Sequence, residues 1–334
     1  MSDTAVLMHH LAPLQPFLAV AGVTELVINR PGEIGLEGAG GWRWHDVPEL
    51  TGPWLSTLAT AAAAYTRQDV TASDPICSTV LPGGERCQIV LPPAAPAGQP
   101  SLTIRKPSAA EFAMDDLVRA GLFEGAQASG ACASADDARL AALHAREDWP
   151  AFLELAVRAR KNILISGATG SGKTTLSKAL IRLIPEHERL LTIEDARELT
   201  VPHRNTVHLL YSKDGQGLAK VGSKQLLESA LRMRPDRILL QELRDGTAFF
   251  YLRNVNSGHP GSITTVHADS AELAFEQLTL LVKESDGGRD LARDDIRALL
   301  HVLVDVVVQL RKIDGRHRVT EVWYEPASKL AARG

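Results

Sequence analysis

Cysteine is scarce in this chain: Cys77, Cys87 and Cys132 are the only three in 334 residues. Their odd number and wide separation supply neither a disulfide framework nor a CxxC metal knuckle, so a reducing compartment is expected. Long hydrophobic runs are missing too. The apolar stretch 299–310 is interrupted by His301 and Asp305 and is too short to span a bilayer. The opening Met1-Ser2-Asp3-Thr4 lacks the basic n-region of a signal peptide, and a cytosolic chain is expected. Neither sign of charge is in excess, with 36 Lys and Arg against 40 Asp and Glu for a net charge of -4. That balance gives no bulk attraction to nucleic acid or an anionic membrane. No basic stripe with interleaved aromatics appears, as a single-strand nucleic-acid groove would need.

What is present is ordinary globular material, 45% apolar and 23% charged. The length exceeds what one core usually serves, so two domains are expected. One stretch organises the rest. Gly167-Ala168-Thr169-Gly170-Ser171-Gly172-Lys173-Thr174-Thr175 satisfies the phosphate-loop pattern GxxxxGKT. Residues 163–166 before it form an apolar run suited to a buried parallel strand. After it, Leu176, Leu180, Ile181 and Leu183 recur at helical spacing. Glycines let successive N–H groups turn inward onto phosphate oxygens, and the following helix adds the positive end of its dipole. Lys173 is expected on the β and γ phosphates, and the Thr174 hydroxyl on a partly hydrated Mg²⁺.

The fold class is α/β, with an N-terminal α+β domain over residues 1–120, a flexible linker over 121–148 and a phosphate-loop ATPase domain over 149–334. In the first domain, 6–18 reads as short helical turns, and 23–29, 33–37 and 42–44 as strands of a small antiparallel sheet. Residues 50–65 read as a helix, 78–81 and 85–91 as a hairpin about Pro82-Gly83-Gly84, and 102–105 as a further strand. Trp42 and Trp44 alternate along one strand and read as packing more readily than as a binding face. Small and polar residues at 123–138 have the composition of a connector. Asp148 before Trp149-Pro150 caps a helix that delivers the chain to the phosphate-loop strand. From there strands and helices alternate, which predicts a parallel sheet covered on both sides. A closing hairpin is expected about Asp314-Gly315.

Two apolar runs end in acid. Residues 189–193 lead to Glu194-Asp195 and 238–240 to Gln241-Glu242, at the strand ends where such sheets place ligand sites. Hydrolysis needs one carboxylate to hold hydrated Mg²⁺ and another acceptor to orient the attacking water. Gln241 stands where the metal-facing acid is usually Asp, so Glu242 must serve the metal or the water, and spacing does not decide which. Residues 254–267 are dense in small polar groups and end at His267, a candidate γ-phosphate sensor. His259 and His267 have no Cys or carboxylate at zinc-ligand spacing.

These residues together carry a resemblance. GATGSGKTT at 167–175, TIEDAREL at 192–199, LRMRPDRILLQELRD at 231–245 and NVNSGHPGSITTVHADS at 254–270 resemble, in order, the phosphate loop, acidic box, atypical Walker B and histidine box of secretion-superfamily ATPases. SGHPGSITTVHA, HLLYSKDGQG at 208–217, GERCQIVLPP at 84–93 and SLTIRKPS at 101–108 are most similar to the ring-forming traffic ATPases of type IV secretion systems.

The resemblance implies a RecA-like ATPase ring under an N-terminal ring, a homo-hexamer peripheral to the cytoplasmic face of the bacterial inner membrane. It also implies ATP with Mg²⁺ as cofactors, nucleotide held between the domains, and Arg86 and Arg105 on the γ-phosphate. Implied partners are other type IV secretion ATPases, inner-membrane components, and protein or DNA cargo. The implied activity is ATP hydrolysis driving substrate transfer or pilus biogenesis. Catalytic candidates are Lys173, Glu194, Glu242 and His267, with Thr174 and Glu242 on the metal. A type II secretion or type IV pilus motor, and a nucleotide-gated docking scaffold, remain alternatives at this stage.

Overall fold

The structure is a computed structural model that describes residues 3–107, 113–126, 134–212, 217–256 and 258–326. Ser108, Cys132, Ser257, residues 127–133 of the expected connector and residues 213–216 of the 208–217 stretch lie outside the described residues.

The N-terminal part opens with α1 (Asp3–Leu11), a 3₁₀ turn (Ala12–Leu14) and α2 (Gln15–Leu18). Strands β1 (Glu25–Ile28), β2 (Glu33–Gly38) and β3 (Gly41–Asp46) follow, then α3 (Gly52–Tyr65), β4 (Ile76–Val80), β5 (Arg86–Val90) and β6 (Ser101–Arg105). The six strands form one antiparallel sheet in the order β3-β2-β1-β6-β5-β4. Side chains alternate across a pleat, so Leu26, Ile28, Leu36, Ile89, Leu102 and Ile104 share a core with Leu7, Leu11, Leu55 and Leu58 of α1 and α3.

The second face of that sheet meets the rest of the chain. Gln88 Nε2 donates to Ser229 Oγ at 2.9 Å, and Arg189 reaches across to Asn29 Oδ1 at 2.8 Å and Thr103 Oγ1 at 3.2 Å. Arg189 is fully buried and also donates to Met233 O and Asn205 Oδ1. Trp42 and Trp44 belong to this seam. Trp42 lies 5.8 Å from the guanidinium carbons of Arg189 and Arg234, and Trp44 lies 4.9 Å from that of Arg204, distances at which cation–π attraction operates.

After α4 (Met114–Arg119) comes α5 (Ala135–Ala145), which corrects the connector expected over 121–148. Ser134 caps α5, Asp136 and Asp137 occupy its first turn, and Leu140 is fully buried. His144 Nε2 meets Val322 O at 2.9 Å and Lys161 Nζ meets Asp137 Oδ1 at 2.5 Å, so the helix is fixed to the ATPase domain. Alanine and aspartate read as a flexible composition, but alanine is the best helix former and acids favour a helix N-terminus.

The remaining elements are α6 (Trp149–Arg158), β7 (Ile163–Gly167), α7 (Lys173–Ile181), β8 (Leu190–Glu194), β9 (Thr206–Leu210), α8 (Ser223–Ala230), β10 (Arg237–Leu240), α9 (Thr247–Asn256) and β11 (Ile263–Val266). They are completed by α10 (Ala271–Glu284), α11 (Arg293–Leu303), β12 (Val306–Ile313) and β13 (Arg316–Trp323). Parallel ladders join β10-β8-β9 and β11-β7-β12, and β13 closes antiparallel on β12. Leu243 N donates to Thr265 O at 2.8 Å and Thr265 Oγ1 to Gln241 O at 2.9 Å, which sets β10 beside β11. The spatial order is therefore β9-β8-β10-β11-β7-β12-β13. This parallel sheet with helices on both faces brings the C-terminal ends of β7, β8, β10 and β11 to one edge, where ligands bind in such sheets. Among the described residues no helix is long and apolar enough to cross a membrane.

Candidate active site

The phosphate loop follows β7 directly. Gly167 has φ +155°, and a Cβ there would stand 2.5 Å from both Leu310 O and Ser171 Oγ, so only glycine fits this turn. Ser171 Oγ is buried without a hydrogen-bond partner, and a polar atom left so in a glycine cradle suits a loop shaped for a polar ligand. Gly170 and Gly172 also take positive φ, and α7 begins at Lys173. Thr174 and Thr175 lie in its first turn, with the N–H groups that no helical carbonyl reaches.

Lys173 folds back into the loop. Its ammonium donates to Gly167 O at 2.7 Å and Ala168 O at 3.0 Å, and to His267 Nδ1 at 3.3 Å. Burial lowers its pKa, opposed by Glu242 and reinforced by Arg244. With His267 Nδ1 accepting, Nε2 carries the proton and faces Glu242 Oε1 at 2.9 Å. Arg244 Nη2 bonds Glu242 Oε2 at 2.5 Å, and Arg244 Nη1 bonds Asp195 Oδ2 at 3.3 Å. The chain Lys173–His267–Glu242–Arg244–Asp195 thus crosses from β7 through β11 and β10 to β8.

Lys173, Glu242 and His267, expected as catalytic, are brought together. Glu194 is not among them. It is completely buried, with Oε1 accepting from Glu198 N at 2.9 Å and Leu199 N at 2.7 Å, and Oε2 from Thr192 Oγ1 at 3.0 Å. Burial would raise its pKa, yet hydrogen bonds from His208 and those backbone amides outweigh it and hold the carboxyl below its ordinary value. Glu194 shapes the loop after β8. The acid that turns toward the site from this strand end is its neighbour Asp195.

Arg244 was not expected at all. Arginine and glutamate on alternate positions after β10 give no periodic signal of their own. Register supplies what spacing lacks: Leu240 pairs with Ile193, so two residues further Glu242 stands beside Asp195 and a cation must bridge them.

Arg86 and Arg105 are cross-strand partners that line, with Arg232, a cleft of about 500 Å³ whose walls include no phosphate-loop residue. Arg105 Nε rests 3.5 Å from Glu25 Oε1. The segment just past the far end of β5 is what nears the site, where Ala94 O accepts from Leu210 N. One strand length, about 17 Å, separates the two ends. The structure therefore does not place these arginines on the phosphate loop of their own chain. His259 is likewise remote from His267, since β11 lies between them. No group of three or more potential metal ligands from His, Cys, Asp and Glu occurs among the described residues.

The Type II/IV secretion system protein family model matches residues 137–324. The chain is 53% identical over 333 residues to the type IV secretion system protein VirB11 of Bartonella henselae, covering 96% of this chain and 94% of that one. It is 44% identical over 329 residues to VirB11 of Brucella suis, covering 96% and 91%. The chain belongs to the VirB11 family of type IV secretion ATPases. The crystal structure of the VirB11 ATPase from the Brucella suis system, in complex with sulphate, superposes with a TM-score of 0.93 at 43% identity, covering 99% of this chain and 97% of that one. The two-part α/β architecture and the ATPase activity follow from this membership. VirB11 relatives are components of a transport apparatus, and this chain has that role.

Proposed function

We propose that the chain is a ring-shaped motor, a homo-hexamer that hydrolyses ATP at the Gly167–Thr175 loop to energise protein or DNA transfer, or pilus biogenesis, through a type IV secretion apparatus at the cytoplasmic face of the inner membrane. The observation that carries this reading is the chain of side chains from Lys173 to Asp195. Two cations, Lys173 and Arg244, balance two carboxylates, Glu242 and Asp195, around a histidine. Such a cluster is poised to be reorganised by a γ-phosphate, which would draw Lys173 off the loop carbonyls and free His267 to contact the phosphate.

The donor set fits Mg²⁺ and ATP. The Thr174 hydroxyl and Glu242 would hold the hydrated ion, which neutralises charge on the β and γ phosphates. Glu242, hydrogen-bonded by His267 and Arg244, would reach the ion through its water shell and from there orient the attacking water. Triphosphate with Mg²⁺ still carries net negative charge, and the local cations are already balanced. Arg86 and Arg105 would supply the missing charge from a neighbouring copy, so that hydrolysis loosens one subunit from the next. Interactions with other secretion ATPases and inner-membrane components belong to the same reading.

Mixing tests it. Lys173→Ala should abolish Mg²⁺-dependent ATP turnover, and Arg86→Ala with Arg105→Ala should strongly reduce it. A mixture of the two defective chains should regain part of the activity, because some subunit boundaries then pair intact arginines with an intact lysine. Turnover retained in Lys173→Ala would sink the site, and no recovery on mixing would sink the shared clasp.

A further inference from the structure

The last two strands carry none of the motifs and none of the chemistry above, yet they touch both halves of the site. β12 pairs with β7 as far as Leu310 beside Gly167, and the hairpin then runs on past the phosphate loop with residues 311–320 exposed. On one side it holds the segment after His267. Gln309 Nε2 donates to Ala268 O at 3.1 Å, Arg311 Nη2 to Asp269 O at 2.6 Å, and Glu321 Oε2 accepts from Ala271 N at 3.0 Å. On the other side His317 stands against the phosphate loop itself. Its Nε2 lies 3.1 Å from Gly170 O, and a Cβ at Gly172 would sit 3.2 Å from its Cγ.

A carbonyl can only accept, so His317 Nε2 donates here. The peptide between Gly170 and Ser171 is then fixed from both sides, its oxygen by His317 and its N–H by Ala168 O at 3.2 Å. This matters because Gly170, at φ +73°, has no Cβ to resist a flip of this peptide, which leaves Ser171 as the one flanking side chain that restrains it. A flipped peptide would turn its oxygen toward the phosphates and spoil the cradle of N–H groups. The geometry points to His317 as a positioning residue that pre-organises the phosphate loop and, through one strand pair, ties its shape to that of the His267 segment. This rests on the nucleotide-site reading above and adds a residue to it.

Pre-organisation acts on binding more than on chemistry. In the full-length chain His317→Ala should weaken binding of Mg·ADP and of a non-hydrolysable ATP analogue by about tenfold, the worth of one well-placed hydrogen bond. KM for ATP should rise by a similar factor with kcat nearly unchanged. His317→Gln, which keeps a donor on a side chain of similar reach, should recover most of the affinity. Calorimetric titration beside Lys173→Ala separates the outcomes. If His317→Ala binds like the parent while Lys173→Ala does not, the His317 inference fails and the nucleotide site stands. If His317→Gln is as weak as His317→Ala, the hydrogen bond is not the device and the inference also fails. If Lys173→Ala keeps full affinity, the nucleotide-site reading falls and this inference with it.

Discussion

Two neighbouring strand ends of the parallel sheet each present a glutamate, and the two side chains live in opposite surroundings. Glu194, at the end of β8, is sealed from solvent and saturated by backbone amides and Thr192. Glu242, just past the end of β10, keeps partial access to solvent and is shared between His267 and Arg244. One residue decides the difference. With Leu240 beside Ile193, Glu194 is level with Gln241, and Glu242 is level with Asp195. Acid at the C-terminal end of a parallel strand is thus not a role in itself. A carboxylate whose lone pairs are filled by the fold cannot also accept a proton from water, whereas one that accepts a single bond on each oxygen can.

The largest expected effect that sharpens this contrast is Glu242→Gln. Turnover should fall by about 10²–10³-fold, within the range for losing a general base, while Mg·ADP binding measured by calorimetry persists. Glu194→Gln should act on the other ledger. It removes the charge that holds the amides of Glu198 and Leu199, and should lower stability to urea by about 2 kcal/mol at pH 7 with kcat reduced less than about tenfold. The folded pKa of Glu194 is depressed, so its contribution is present above the ordinary carboxylate range and fades as pH falls through the folded value. The stability gap between parent and variant should therefore shrink in acid. A collapse of kcat with unchanged stability would erase the distinction between the two strand ends.

The smallest effect concerns another buried acid. Glu25, at the start of β1, is 4% exposed, has one oxygen without a partner, and is raised by burial to a pKa of about 7 despite Arg105. A raised folded pKa means that ionisation opposes folding: the penalty is absent below the unfolded value, grows between about pH 4.5 and 7, and is complete above. Glu25→Gln should therefore stabilise the chain by about 1 kcal/mol at pH 8 and leave it little changed at pH 4, as read from denaturant midpoints. Destabilisation at pH 8 would show that the Arg105 contact outweighs burial.

The phosphate loop, both acidic strand ends and the histidine were legible because each rests on a local pattern with a local cause: glycines where the backbone must curl, an apolar run that stops at an acid. Trp42 and Trp44 were legible as packing, although not what they pack against. β9, α8 and α9 were not marked out. Thr206–Leu210 is short and holds His208 in its middle, which breaks the apolar run, and it becomes a strand only by pairing with β8. The surroundings of Arg244 and Glu194 needed the register between β8 and β10, which is a tertiary fact. The placement of Arg86 and Arg105 is another: a motif match says which residues recur, while the direction of β5 says which end meets the site.

Arg189 also has a mechanical consequence. Its guanidinium threads from the base of β8 into the N-terminal sheet, is fully buried, and is met by Asn29, Thr103, Asn205 and Met233. Prising the lobes apart along this line would break the hydrogen bonds from the guanidinium to Asn29 and Thr103, each worth about 1.5–3 kcal/mol for a charged donor. The line is a rivet and not a pivot, so any movement that spares it carries both lobes as one lever.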